Sequence, residues 1–125
     1  QLERIDTIIN RKTEIALLYK EHLKHLPLIV HEEQPDTFHS YWMFSILVND
    51  INKRDPLREY LAERGIETRP LFYPIHTMPM YAQKFQKFPV AENLGWRGIN
   101  LPSFPDLNNE EIKYITQSIS DFYEK

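Results

Sequence analysis

The sequence predicts an α+β domain: a small, mainly antiparallel sheet with helices packed on one face. Three observations lead there. The apolar periodicities run in the order α-β-β-α-β-(α)-β-α, and every strand is short. The longer helical segments gather their apolar residues into one-sided stripes, as helices lying on a single sheet face must. No glycine-rich phosphate loop follows any of the strands.

The first helix is expected over Leu2 to about Lys24, where Ile5, Ile8, Ile9, Ala16, Tyr19 and Leu23 recur at helical spacing. Lys20, His22, Lys24 and His25 suit the negative end of its dipole, and Pro27 forbids continuation. Ile15, Leu17 and Leu18 widen its apolar surface, so the helix is expected to pack against two bodies. Leu28–His31 reads as a short strand, β-branched in its middle. After a polar turn around Pro35, Tyr41–Val48 reads as a central strand covered on both faces, because it is almost continuously apolar.

Asp55 is expected to cap a second helix that opens at Pro56, buries Leu57, Tyr60 and Leu61, and stops at Gly65 in a left-handed conformation. Ile66–Arg69 then reads as a short strand. Met80–Lys87 is expected to form a helical turn with Phe85 and Phe88 inward. Pro89 opens a short helix to about Trp96, with Val90, Leu94 and Ala91 as its inner side and Gly95 and Gly98 marking its end. Ile99–Leu101 is a strand stopped by Pro102. Asn108 and Glu111 form a capping box for a last helix whose stripe is Ile112, Ile115, Ile119, Phe122 and Tyr123.

A chain of 125 residues fits one domain, 1–125, with a modest core. Hydrophobic residues at 42% and aromatics at 13% exclude a disordered chain. A net charge of −3 gives no basic field for nucleic acid. The absence of cysteine removes disulfides, thiolate nucleophiles and zinc–thiolate sites, and is compatible with a reducing, cytoplasmic setting. No apolar run approaches the roughly 20 residues that span a bilayer. The chain opens at Gln1 within an expected helix, and we expect it to be a piece of something longer.

The stretch Gly65–Tyr81 holds the chemistry. Pro70, Pro74 and Pro79 stiffen it and forbid a regular helix. Arg69, Tyr73, His76 and Tyr81 lie between and beside them, offering a fixed charge, phenols and an imidazole. Such a loop either carries ligand contacts or fills the edge of the core with its aromatics. Elsewhere the inventory is thin. His22 and His25 share a helix face, but no carboxylate completes a metal triad, and they read as solvated helix-end residues. Glu32 and Glu33 are adjacent in a loop and do not converge. No hydrolase or zinc-protease motif occurs. The lysines sit in polar surroundings, none in the apolar setting that depresses an amine pKa for Schiff-base chemistry.

The runs His39-Ser-Tyr-Trp-Met-Phe, Arg54-Asp-Pro-Leu-Arg-Glu-Tyr-Leu, Gly65-Ile-Glu-Thr-Arg-Pro-Leu-Phe-Tyr-Pro-Ile-His, Phe88-Pro-Val-Ala-Glu-Asn-Leu and Gly98-Ile-Asn-Leu-Pro-Ser-Phe-Pro keep the order of a known family. The chain resembles the C-terminal, smaller domain of DegT/StrS sugar aminotransferases, most of all the perosamine synthetase-like branch. That resemblance implies the C-terminal domain of a fold type I enzyme using pyridoxal phosphate. It implies transfer of an amino group, usually from glutamate, to a nucleotide-linked keto sugar. It also implies a homodimer. The Schiff-base lysine and most cofactor contacts would belong to a larger N-terminal domain outside these residues, so the isolated chain is expected to be inactive and to hold no cofactor. Arg69, Tyr73 and His76 match positions lining the sugar-nucleotide side of the cleft, and His39 is a further substrate-binding candidate. Tyr41 and Trp42 read as packing residues. The competing expectations are a non-catalytic binding or regulatory module with the same fold, and a stand-alone small enzyme.

Overall fold

A computed structural model describes residues 1–82 and 85–125. A 3-10 turn at Leu2–Arg4 leads into α1 (Ile5–Leu23), followed by β1 (Leu28–Val30) and β2 (Phe44–Val48). A second 3-10 turn, Ile51–Lys53, precedes α2 (Arg54–Glu63), and β3 (Arg69–Pro70) comes next. A third, Ile75–Thr77, lies before α3 (Pro89–Arg97), which runs into β4 (Gly98–Leu101) and then α4 (Asn109–Glu124). The strands form a four-stranded sheet in the order β1-β2-β4-β3, antiparallel at every step.

Register decides what each strand residue faces. Phe44 pairs with Leu101 and Ile46 with Ile99, and all four are buried. With Val48 they meet Tyr19, Leu23, Leu57, Leu61, Ile112 and Ile119 from the helices in one core. Each fully buried Leu, Ile or Phe contributes about 1.5–3 kcal/mol of transfer free energy. The intervening residues Ser45, Leu47 and Asn100 are only half-buried, on the other face. The sheet is therefore α+β with its helices on one face, as expected, but β2 is not covered on both sides. Its apolar run also outlasts the strand. Tyr41 precedes it with φ 48°, buried at the core edge, whereas Trp42 is 69% exposed and packs no core.

Local chemistry sets most element ends. Asn108 accepts from the Glu111 backbone N–H at 2.8 Å while Glu111 accepts from the Asn108 N–H at 2.9 Å, completing the capping box. Gly65 takes φ 75° after α2, a conformation that a Cβ disfavours. Asp55 does not cap α2; it lies in the first turn, because Asp50 instead caps the preceding 3-10 turn through the Asn52 N–H at 3.0 Å. β3 is confined to Arg69–Pro70, later and shorter than the expected strand.

Around α3 the expectations fail more broadly. Val90, Ala91 and Leu94 are exposed, and Gly95 is the buried residue, so that glycine sits inside the helix rather than ending it. Phe85 and Phe88 face outward. Met80 and Tyr81 belong to a turn closed by the Tyr81 N–H on Met78 O at 2.9 Å, and Gln83 and Lys84, on which the expected helical turn falls, lie outside the described residues. On α1, Ile15, Ala16, Tyr19 and Leu23 are buried, while Ile5 and Leu17, with Leu2 in the turn before the helix, remain exposed on a surface this chain does not cover.

Candidate functional site

The proline-rich segment after β3 is held to α3 by a close approach and a polar clasp. A Cβ at Gly95 would lie 2.9 Å from Pro74 Cδ, so the loop seats where the helix has no side chain. His76 Nε2 donates to Glu92 Oε1 at 2.7 Å, with side chains only 9% and 18% exposed. Phe88 meets the imidazole edge-on at 4.9 Å. The hydrogen bond from His76 holds the Glu92 carboxyl below its ordinary range. Between loop and helix lies a hollow of about 660 Å³, lined by Tyr73, His76, Tyr81, Phe88 and Leu94 among others. Its character is aromatic with few polar atoms, as in many small-molecule clefts.

Arg69 stands elsewhere. It lies on the edge strand β3 opposite Asn100, and both line a second hollow of about 570 Å³ with Met43, Glu67, Phe104 and Tyr114. Its guanidinium is 79% exposed and meets Glu67 at 3.2 Å. A pair so exposed is worth at most about 1 kcal/mol and yields readily to a better anion. The backbone just before it is anchored: Arg58 on α2 donates to Thr68 Oγ1 and Thr68 O, each at 3.3 Å. Ser45 Oγ donates to Asn100 Oδ1 at 2.5 Å, which turns the Asn100 amide N–H groups to be donors for something else. Arg69, Asn100 and Ser45 thus make one cross-strand polar row on the face away from the core.

His39 lies in neither hollow. Its Nδ1 accepts from the Tyr41 N–H at 2.9 Å, its Nε2 is 2.9 Å from His31 Nδ1, and its ring stacks on Tyr41 at 4.2 Å. Both ring nitrogens are therefore engaged within the chain. Burial, reinforced by His39 and Lys20, pushes the His31 pKa down to about 4.

Of the residues picked out from sequence, Tyr73 and His76 share one hollow, Arg69 lines the other, and His39 is apart from both. Glu92, Asn100 and Arg58 were missed. Asn100 was detectable as the polar residue between Ile99 and Leu101, since alternation puts it on the opposite face. Partial burial lowers the Lys12 amine, contrary to the expectation that no lysine is depressed. Its Nζ donates to Trp42 O at 2.9 Å, and no lysine among the described residues lines either hollow. Among the described residues, those lining the two hollows do not by themselves fit an aldimine-bound cofactor. His22 and His25 are exposed, and no metal-binding group of three or more His, Asp or Glu occurs among the described residues.

The model of the DegT/DnrJ/EryC1/StrS aminotransferase family matches residues 1–120. The chain is 58% identical over 123 residues to the GDP-perosamine synthase of Escherichia coli O157:H7, covering 98% of this chain and 34% of that protein. It is 44% identical over 127 residues to the GDP-perosamine synthase of Vibrio cholerae, covering 98% of this chain and 35% of that one. The crystal structure of S. venezuelae DesV in complex with a ketimine intermediate superposes with a TM-score of 0.91 at 26% identity, over 99% of this chain and 34% of that one. The chain spans about a third of the length of these relatives.

Proposed function

We propose, because the chain belongs to the DegT/DnrJ/EryC1/StrS aminotransferase family, that it is the C-terminal domain of a pyridoxal-phosphate-dependent enzyme that transfers an amino group from glutamate to a GDP-linked keto sugar. The observation that carries this is 58% identity, along 98% of the chain, to a GDP-perosamine synthase. The cofactor's amine-carrying chemistry belongs to the remaining part of such an enzyme, which acts as a cytoplasmic homodimer. This domain's own contribution is binding. Arg69 receives a phosphate or carboxylate, because a fixed guanidinium fork suits either and Glu67 holds it only loosely. Tyr73 offers a phenol to the sugar nucleotide from a loop that His76 and Glu92 keep in place. His76 borders the same hollow and acts on substrate through its ring face or Nδ1, since Nε2 is committed to Glu92. His39 serves the site indirectly, by shaping the turn before β2.

The test is amino transfer by the complete gene product. With glutamate and a GDP-linked keto sugar, the aminated sugar nucleotide is expected, and none is expected from the 125-residue chain. Failure of the complete protein to transfer to any nucleotide-linked keto sugar overturns the reading in favour of a binding module. An aldimine absorbance band formed by the 125-residue chain with added cofactor, and trapped by borohydride on a lysine, overturns the division of labour.

A further inference from the structure

We propose that the His31–His39 pair is an acid-sensitive clasp: it holds the left-handed turn at Tyr41 while both rings are neutral and releases it when the pair takes up a proton.

The hydrogen count makes the case. The Tyr41 N–H points at His39 Nδ1 at 2.9 Å, His39 Nε2 faces His31 Nδ1 at 2.9 Å, and the Ser45 N–H lies 3.4 Å from His31 Nε2. Two neutral imidazoles carry two ring hydrogens. One lies between the rings. The other must oppose a backbone N–H, and the longer contact, at Ser45, is where the network has room for it. The neutral pair is therefore full. A third hydrogen has to break either the Tyr41 bond or the contact between the rings.

Both of those contacts hold an unfavourable backbone. Tyr41 sits at φ 48°, where a residue with a side chain persists only if its surroundings fix it. Its ring is clamped too, stacked on His39 at 4.2 Å with its hydroxyl accepting from Lys20 Nζ at 3.0 Å. The charged groups facing the pair are few. From α1 comes Lys20, whose charge opposes protonation of His31. From the turn comes Glu33, whose Oε2 accepts from the backbone N–H of His39 at 2.8 Å. β2 offers only the Phe44 ring, 5.2 Å from His31, and the Ser45 N–H.

Burial, His39 and Lys20 put the folded His31 pKa at about 4, below the ordinary value of 6.5. The sign follows. A histidine held neutral by the fold gives its full stabilisation above the ordinary value and loses it as pH falls towards the folded one. Within that window the opening equilibrium rises up to about tenfold per pH unit for one proton. The release reaches the exposed Trp42 and then Met43, which lines the hollow that contains Arg69.

The experiment is an NMR titration of the imidazole nitrogens and the Tyr41 amide in the 125-residue chain between about pH 7.5 and 4, with Trp42 fluorescence read in a Trp96→Phe background. The pair is expected to take up its proton as one coupled unit, with the Tyr41 amide and the Trp42 emission changing in the same transition. A Tyr41 amide that stays unchanged while the pair protonates overturns the proposal. His39→Asn supplies a non-titrating acceptor to the Tyr41 N–H and is expected to flatten the transition. An equally large acid response in that variant overturns the proposal as well.

Discussion

Aromatic residues cluster in two regions of this molecule and meet opposite fates. Beneath α1, Tyr19 stacks on Phe44 at 4.8 Å, its hydroxyl donates to Pro102 O at 2.7 Å, and both rings are fully buried. Around α3, Phe72, Tyr73, Tyr81 and Phe88 are exposed. Both regions are rich in the same side chains, so composition does not separate them. Neighbours do. The first region lies where α1, α2, α4 and two central strands converge. The second is a proline-stiffened segment backed by one short helix, kept there by the Gly95 approach and the His76–Glu92 clasp. A segment fixed by prolines and one buried polar bond can hold apolar surface outward without a core of its own. That is the condition a binding loop needs.

The sharpest test of the contrast is truncation. Phe44→Ala is expected to cost about 3–5 kcal/mol in chemical denaturation, because the converging elements cannot close the cavity. A cost below about 1 kcal/mol would mean that the core is less rigid than its packing implies. Next in size is Arg69→Ala in the complete enzyme. It should lose about 1.5–3 kcal/mol in kcat/KM for the sugar nucleotide with little change in Tm, and Arg69→Lys should recover only part. A fallen Tm with unchanged kcat/KM would make Arg69 a structural residue.

Acid separates the two regions in a different way. The carboxyl of Glu92 is depressed by its bond from His76, so its contribution is complete above the ordinary value of 4.5 and is lost only as pH falls through the lower folded value. His31, kept neutral chiefly by burial, already loses its contribution between 6.5 and about 4. On acidification the Tyr41 turn is therefore expected to loosen before the loop at His76, as residue-resolved NMR would report. The reverse order would break the assignment. Glu92→Gln keeps a hydrogen-bond acceptor but removes the charge, and limited proteolysis should then cut the 71–82 segment faster. The smallest effect is expected of Phe72→Ala, within about 0.5 kcal/mol in the same denaturation assay, because its ring already lies in water.

The four helices, the sequence of elements along the chain, the capping box at Asn108 and the left-handed Gly65 were legible in the sequence, because each rests on residues within a turn or two of one another, whereas the β1-β2-β4-β3 order of the sheet was not. The mistakes have a common origin. Tyr41–Val48 looks like one buried strand because hydrophobicity counts apolar residues without knowing how many layers will cover them. The inner side of α3 was assigned to Val90 and Leu94, but Pro74 takes the place beside Gly95 instead. Asp55 was expected to cap α2, but the chain turns earlier, and Asp50 caps the 3-10 turn that precedes the helix.

The candidate site divides along the same line. Arg69, Tyr73 and His76 stood out because prolines and functional side chains fall close together in sequence. That Tyr73 and His76 share a hollow, that Arg69 lines another, and that His39 turns both its nitrogens inward were matters for the tertiary structure. His76 meets Glu92 across 16 residues of chain, Arg58 meets Thr68 across 10, and Ser45 meets Asn100 across 55. The sequence by itself determined where the four helices lie and roughly where the strands fall, since backbone preference and capping act locally, while the exact ends of β2 and β3 did not follow from it. Only the packed structure decided which polar groups satisfy one another and which are left to face a ligand, because a hydrogen bond needs its partner within about 3 Å and proximity between distant residues is created by the fold.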